Sequence, residues 1–190
     1  MTNCFKGYAV RTALCLMFLT LCTPRLGDAQ LNSNSVPVVL TATLLEALTV
    51  TALPGAVNFN LSPGGTADGS LPVAITTTWV LGPSRTTVGL YGSFASSTVA
   101  LTDGLSHNIP SSALLGAVTT GLPTTFTAFT QTGPFGSAGA SLKLFNQSVG
   151  LANLTSLRND QLNLRIDLTS LPNTPAGVYV GTLNIQAQAL

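Results

Sequence analysis

Residues 160–168, DQLNLRIDL, place an apolar side chain at every second position: Leu162, Leu164, Ile166 and Leu168 alternate with Asn163, Arg165 and Asp167. Successive side chains of an extended chain point to opposite faces, so this spacing predicts a strand with one buried and one wet face. The pattern recurs. In residues 71–81, LPVAITTTWVL, one side carries Leu71, Val73, Ile75, Trp79 and Leu81, and the other carries Thr76 and Thr78. Residues 86–94 put Val88, Leu90 and Phe94 on one face. Residues 175–190, PAGVYVGTLNIQAQAL, alternate Tyr179, Leu183, Ile185, Ala187 and Ala189 with Thr182, Asn184, Gln186 and Gln188. Residues 36–44 do the same with Val36, Val38, Leu40, Ala42 and Leu44. Shorter extended pieces are expected near Ala47, Val99 and Leu115, over 125–130, and around Leu142 and Leu144.

Glycine and proline punctuate these runs. PGGTADGS at 63–70, Gly82-Pro83, QTGPFGSAG at 131–139 and LPNTPAG at 171–177 read as turns. Residues 43–48, TLLEAL, suffice for one helical turn, but Thr49-Val50-Thr51 argues against extending it. Many short strands and no amphipathic helix predict one all-β domain, an immunoglobulin-like antiparallel β-sandwich, with a closed barrel as the alternative.

Such a domain has no covalent staples. The three cysteines, Cys4, Cys15 and Cys22, all fall in the first 29 residues. That segment has the layout of an export signal: Lys6 and Arg11, an apolar run over 12–22, then Gly27 and Ala29 as small residues before a cut that leaves Gln30 first. The run is too short to span a bilayer. Leu14 and Leu21 precede Cys15 and Cys22 where a lipidation site wants a small residue. The expected plan is a signal peptide over 1–29 and a domain over 30–190, secreted or at the cell surface, with periplasmic transit in a bacterium. Residues 30–44 form either an N-terminal extension or the first strand.

Charge is scarce, at 7% of the chain. After residue 29, Arg85, Lys143, Arg158 and Arg165 stand against Glu46, Asp68, Asp103, Asp160 and Asp167. No basic stripe serves nucleic acid or anionic lipid, and no span crosses a membrane in the mature chain.

Chemistry is equally sparse. His107, the single histidine, lies in TDGLSHNIPSS with Asp103, Ser111 and Ser112. A catalytic triad needs its members oriented on a rigid scaffold beside an oxyanion hole; the same residues are what a polar surface turn uses. Zinc asks for Cys and His clusters and calcium for several clustered oxygens, and neither pattern is present. Asp160 and Asp167 are seven apart, on opposite faces of one strand, and read as solvated charges. GPFGSAGA at 133–140 lacks the Lys of a phosphate loop. Asn60, Asn146 and Asn153 begin sequons. Trp79, Tyr91, Tyr179 and the phenylalanines fall mostly on apolar faces, which makes them core residues. The reading is therefore of no enzyme, no catalytic, cofactor or metal residues, and no cofactor.

The segment PAGVYVGTLNIQA, 175–187, resembles the last strand of bacterial secreted pilin-like domains of the spore coat U type. Pro175, Ala176, Gly177, Tyr179, Leu183 and Ile185 match that pattern; Gly181 stands where it often has Asp. The resemblance implies a sandwich missing one strand, assembled by strand addition from copies of itself or related subunits. The implied contact is Val36, Val38, Leu40, Ala42 and Leu44 as donor, with Tyr179, Leu183 and Ile185 beside the groove. The alternatives are that residues 36–44 are the domain's own first strand, and that the protein is a monomeric extracellular module binding glycan or protein through the loops at 103–112 and 133–140.

Overall fold

A computed structural model describes residues 33–190. The predicted signal peptide lies outside the described residues. Residues 33–42 are taken separately from the rest: they form neither helix nor strand and every side chain among them is exposed.

From Thr43 onward the protein is all-β and antiparallel. The strands are β1 (Ala47–Leu53), β2 (Thr66–Asp68), β3 (Val73–Val80), β4 (Thr87–Ser93), β5 (Leu101–Thr102), β6 (Asn108–Ile109), β7 (Leu114–Val118), β8 (Thr127–Ala128), β9 (Ser141–Ser148), β10 (Thr155–Asp167) and β11 (Asn184–Ala189). One sheet has the order β1-β3-β10-β7-β8, with β2 also pairing β10; a second has the order β11-β4-β9; β5 and β6 make a small hairpin. One 3-10 turn, Ser111–Ala113, precedes β7.

The two larger sheets share one core, which gives a sandwich-like arrangement. Alternation explains which residues enter it. On β10, Leu162, Leu164 and Ile166 are buried, as is Leu168 just beyond, while Asn163, Arg165 and Asp167 stay partly wet. On β3, Val73, Ile75 and Trp79 are buried, and the Trp79 indole N–H donates to the Asn153 carbonyl at 2.9 Å. Val88 and Leu90 of β4, Leu142, Leu144 and Phe145 of β9, and Phe94 against Phe129 complete the centre. Each fully buried side chain of this size contributes about 1.5–3 kcal/mol. Gly92 makes room for it, because a Cβ there would lie 2.9 Å from the Phe129 ring.

Several expectations need correction. Residues 63–70 are not only a turn. Ala67 is buried, and β2 pairs β10 with Asp68 opposite Arg165, so a cross-strand ion pair and one apolar contact outweigh the glycines around them. Leu71 is exposed, because it precedes β3. Between β1 and β2 the chain forms no strand over 57–62, and Val57, Phe59 and Leu61 pack on the core from an irregular segment. The final strand is also shorter than its alternation: β11 begins only at Asn184. A Cβ on Gly181 would fall 1.9 Å from the Ala100 carbonyl oxygen, so the chain is pressed against another segment there. Val180 makes an isolated bridge with Thr102 instead.

Candidate strand-assembly site

The two flanks of the sandwich are built differently. On one, chain segments join the sheets: the Leu122 amide donates to the Leu144 carbonyl at 3.0 Å, and Gln131 and Ser141 exchange backbone hydrogen bonds at 2.8 and 3.0 Å. On the other, the edge strands β1 and β11 lie near each other. β1 pairs only β3, and β11 pairs only β4, among the described residues. Each therefore presents a row of unpaired backbone N–H and C=O groups.

The inward side chains here are incompletely covered. Leu48, Val50 and Ala52 of β1 and Ile185, Ala187 and Ala189 of β11 are half-buried against the core. A cleft of about 280 Å³ separates the start of β1 from the end of β11; Leu48, Leu81, Ala187 and Ala189 line it. One end is closed by charge. The Arg85 Nη2 lies 2.8 Å from Glu46 Oε2, the Gly82 amide donates to Glu46 Oε1 at 2.6 Å, and Arg85 Nη1 reaches the Ala189 carbonyl at 3.5 Å. Arg85 and the Gly82 amide hold the Glu46 carboxyl below its usual range, and Glu46 raises Arg85 in return.

Of the residues expected at an assembly contact, Leu183 and Ile185 lie on this flank, half-buried against the core. Tyr179 does not belong to β11. Its hydroxyl donates to the Pro175 carbonyl at 3.0 Å, and burial, together with the Asp103 charge, pushes its phenol up. Val36, Val38, Leu40 and Leu44 are 75, 77, 89 and 84% exposed, and Ala42 is exposed as well. Among the described residues, no strand precedes Ala47.

The polar residues that suggested a triad are not assembled as one. His107 Nδ1 lies 2.6 Å from Asp103 Oδ2, and the Leu105 and His107 amides donate to Asp103 Oδ1. Burial works to raise the Asp103 carboxyl, but the Leu105 amide and the ring and amide of His107 bring it below its usual range. Ser111 is buried and donates to the Ser97 and Gly139 carbonyls at 3.3 and 3.1 Å, away from His107. This is the hydrogen bonding of a β5–β6 hairpin turn, with Gly104 and Ser106 at positive φ.

Asp160 is not a solvated charge. It points inward, is 2% exposed, and accepts from Arg158 Nε at 2.9 Å and from the Thr120 hydroxyl at 2.7 Å. Arg158 also donates to the Thr120 carbonyl and stacks 4.6 Å over the Phe145 ring. Arg158 and Asp160, two residues apart on one strand, share a face, which is the signal that reveals the pair. A larger cleft, about 500 Å³, sits on the outer face of the β10 sheet beside Phe126, whose ring Arg165 covers at 4.0 Å while bonded to Asp68. Arg165 holds the Asp68 carboxyl below its usual range. No group of three metal-ligating side chains gathers, and no helix is long and apolar enough to cross a membrane, among the described residues. Comparison with known families, curated proteins and solved structures finds no match to this chain.

Proposed function

We propose that the protein is an exported, cell-surface structural subunit that assembles by strand addition, each copy inserting residues 36–44 beside β11 of the next. The observation that carries this reading is the open β1/β11 flank, where two unpaired edges and half-buried apolar side chains leave one strand's worth of bonding unused. The topology supports it. An immunoglobulin-like sandwich sets strands A, B, E and D against C, F and G. Taking β1, β3, β7 and β10 as A, B, D and E, and β4 and β11 as C and F, preserves chain order and pairing. Among the described residues no strand takes the place of G beside β11, and β9 adds a strand on the far side of C.

The segment at 36–44 suits that place: nine residues span about 30 Å extended, and five alternate side chains are apolar. Insertion into the copy's own groove is disfavoured. It leaves only Leu45 and Glu46 to carry the chain from that place into β1, which belongs to the other sheet. Glu46 is moreover held by Arg85 and Gly82. Donation to a second copy avoids both obstacles. An export signal over 1–29, as the sequence pattern reads, would fit a part of this kind.

The test is deletion of residues 30–44. The mature protein is expected to form head-to-tail oligomers by light scattering and fibres by electron microscopy. The deleted form is expected to stay a folded monomer, and a synthetic peptide of residues 36–44 should raise its melting temperature. A strictly monomeric mature protein at high concentration, or a deletion that unfolds the domain, overturns the reading.

A further inference from the structure

The outer face of the β11-β4-β9 sheet carries a feature that strand assembly does not use. Register places Gln186, Tyr91 and Lys143 in one row across the three strands, and Gln188, Gly89 and Asn146 in the next. Alternation turns these side chains away from the core. The Tyr91 ring lies across Gly89: a Cβ there would meet Cε2, Oη and Cζ at 3.0, 3.1 and 3.3 Å. Glycine is what lets the ring lie along the sheet. The ring is thus flanked by Gln188 on one neighbouring strand and Asn146 on the other, each about 5 Å away in strand spacing. Phe135 meets it edge-on, with centroids 5.9 Å apart.

The surrounding groups are unspent. Among the described residues, the side chains of Gln186, Gln188 and Asn146 and the Tyr91 hydroxyl make no hydrogen bond within the protein, and Gln186 and Asn146 are exposed. Lys143 has its Nζ over the Tyr91 ring, 5.7 Å from the centroid, and no carboxylate partner among the described residues. The two rows contain no acidic residue. An aromatic ring bordered by amides offers a C–H-bearing sugar face something to stack on and its hydroxyls donors and acceptors on either side. A lone, long-stemmed ammonium adds a contact for one negative charge.

We infer that this face binds an acidic polysaccharide, with a pyranose ring stacked on Tyr91, its hydroxyls held by Gln188 and Asn146, and its carboxylate at Lys143. Affinity electrophoresis of the purified protein through gels containing polygalacturonate or dextran tests it. Polygalacturonate is expected to retard the protein, more weakly as salt rises, and dextran to retard it at least tenfold less. Lys143→Gln should remove the preference for the acidic polymer, and Tyr91→Ala should weaken binding at least tenfold with the circular dichroism spectrum unchanged. Should Tyr91→Ala fail to fold, Asn146→Ala and Gln188→Ala carry the test, with severalfold weakening expected from each. No retardation by polygalacturonate, equal retardation by both polymers, or folded variants that bind like the parent overturn the inference.

Discussion

The closed and open flanks of the sandwich use the same alternating sequence and reach different burial. Where residues 119–131 bridge the sheets, Val118, Phe129, Leu142 and Leu144 are all fully buried. Where β1 and β11 end the sheets, Val50, Ala52, Ile185 and Ala187 have equivalent inward positions and remain half-buried. Periodicity aims a side chain at the core; only a neighbour across the edge seals it in. Incomplete burial of correctly aimed apolar residues thus marks β1 and β11 as sheet edges.

The largest expected effects lie on the closed side. Phe129→Ala should cost about 3–5 kcal/mol by chemical denaturation, because Phe129 is fully buried and packs against Phe94 and Gly92. Arg158→Ala should cost a similar amount, about 3–5 kcal/mol, since it leaves the Asp160 carboxylate buried without its partner. On the open side, Val50→Ala in the monomer should cost only about 1 kcal/mol, as the methyl groups removed are half in water already. A loss equal to that at Phe129 would break the comparison. Ile185→Asp sharpens it, for this change should abolish oligomers seen by light scattering and leave the monomer's melting cooperative. Comparable in size to Val50→Ala and opposite in sign, Thr77→Val should raise stability by about 1 kcal/mol, because the Thr77 hydroxyl is fully buried with no hydrogen-bond partner among the described residues.

Acid gives the last comparison. Glu46, Asp68, Asp103 and Asp167 all have carboxyls below their usual range in the folded protein. The unfolded chain therefore takes up protons first as pH falls, and stability drops with it. The contribution of these groups is complete above the usual carboxylate range and is lost as pH falls through their depressed values. Melting temperatures measured from pH 7 downward should hold to about pH 5 and then decline. Glu46→Gln should flatten that decline slightly and leave the curve at pH 7 a little lower.

Much of this was legible in the sequence, and the failures share a cause. Leu162, Leu164 and Ile166 could be placed because one face of β10 is buried along the whole run. Residues 36–44 have the same alternation and form no strand, since periodicity describes what a segment can pair with and not where the partner is. Strand β2 was hidden by Gly64, Gly65 and Gly69, whose turn signal is local, while its pairing with β10 joins residues about a hundred apart. Asp160 looked solvated because charge suggests surface; Arg158 on the same face was the clue. Tyr91 reads as core by its aromatic type, although Val88 and Leu90 already put the odd positions of β4 outside.

Gly181 has a bearing on length. By pressing the chain against Ala100 it delays β11 until Asn184, and the ladder with β4 extends six residues, to Ala189. An extended hexamer measures about 20 Å. That is the ruler any added strand must be read against, and under the proposed assembly residues 36–44, about 30 Å when extended, would overhang it.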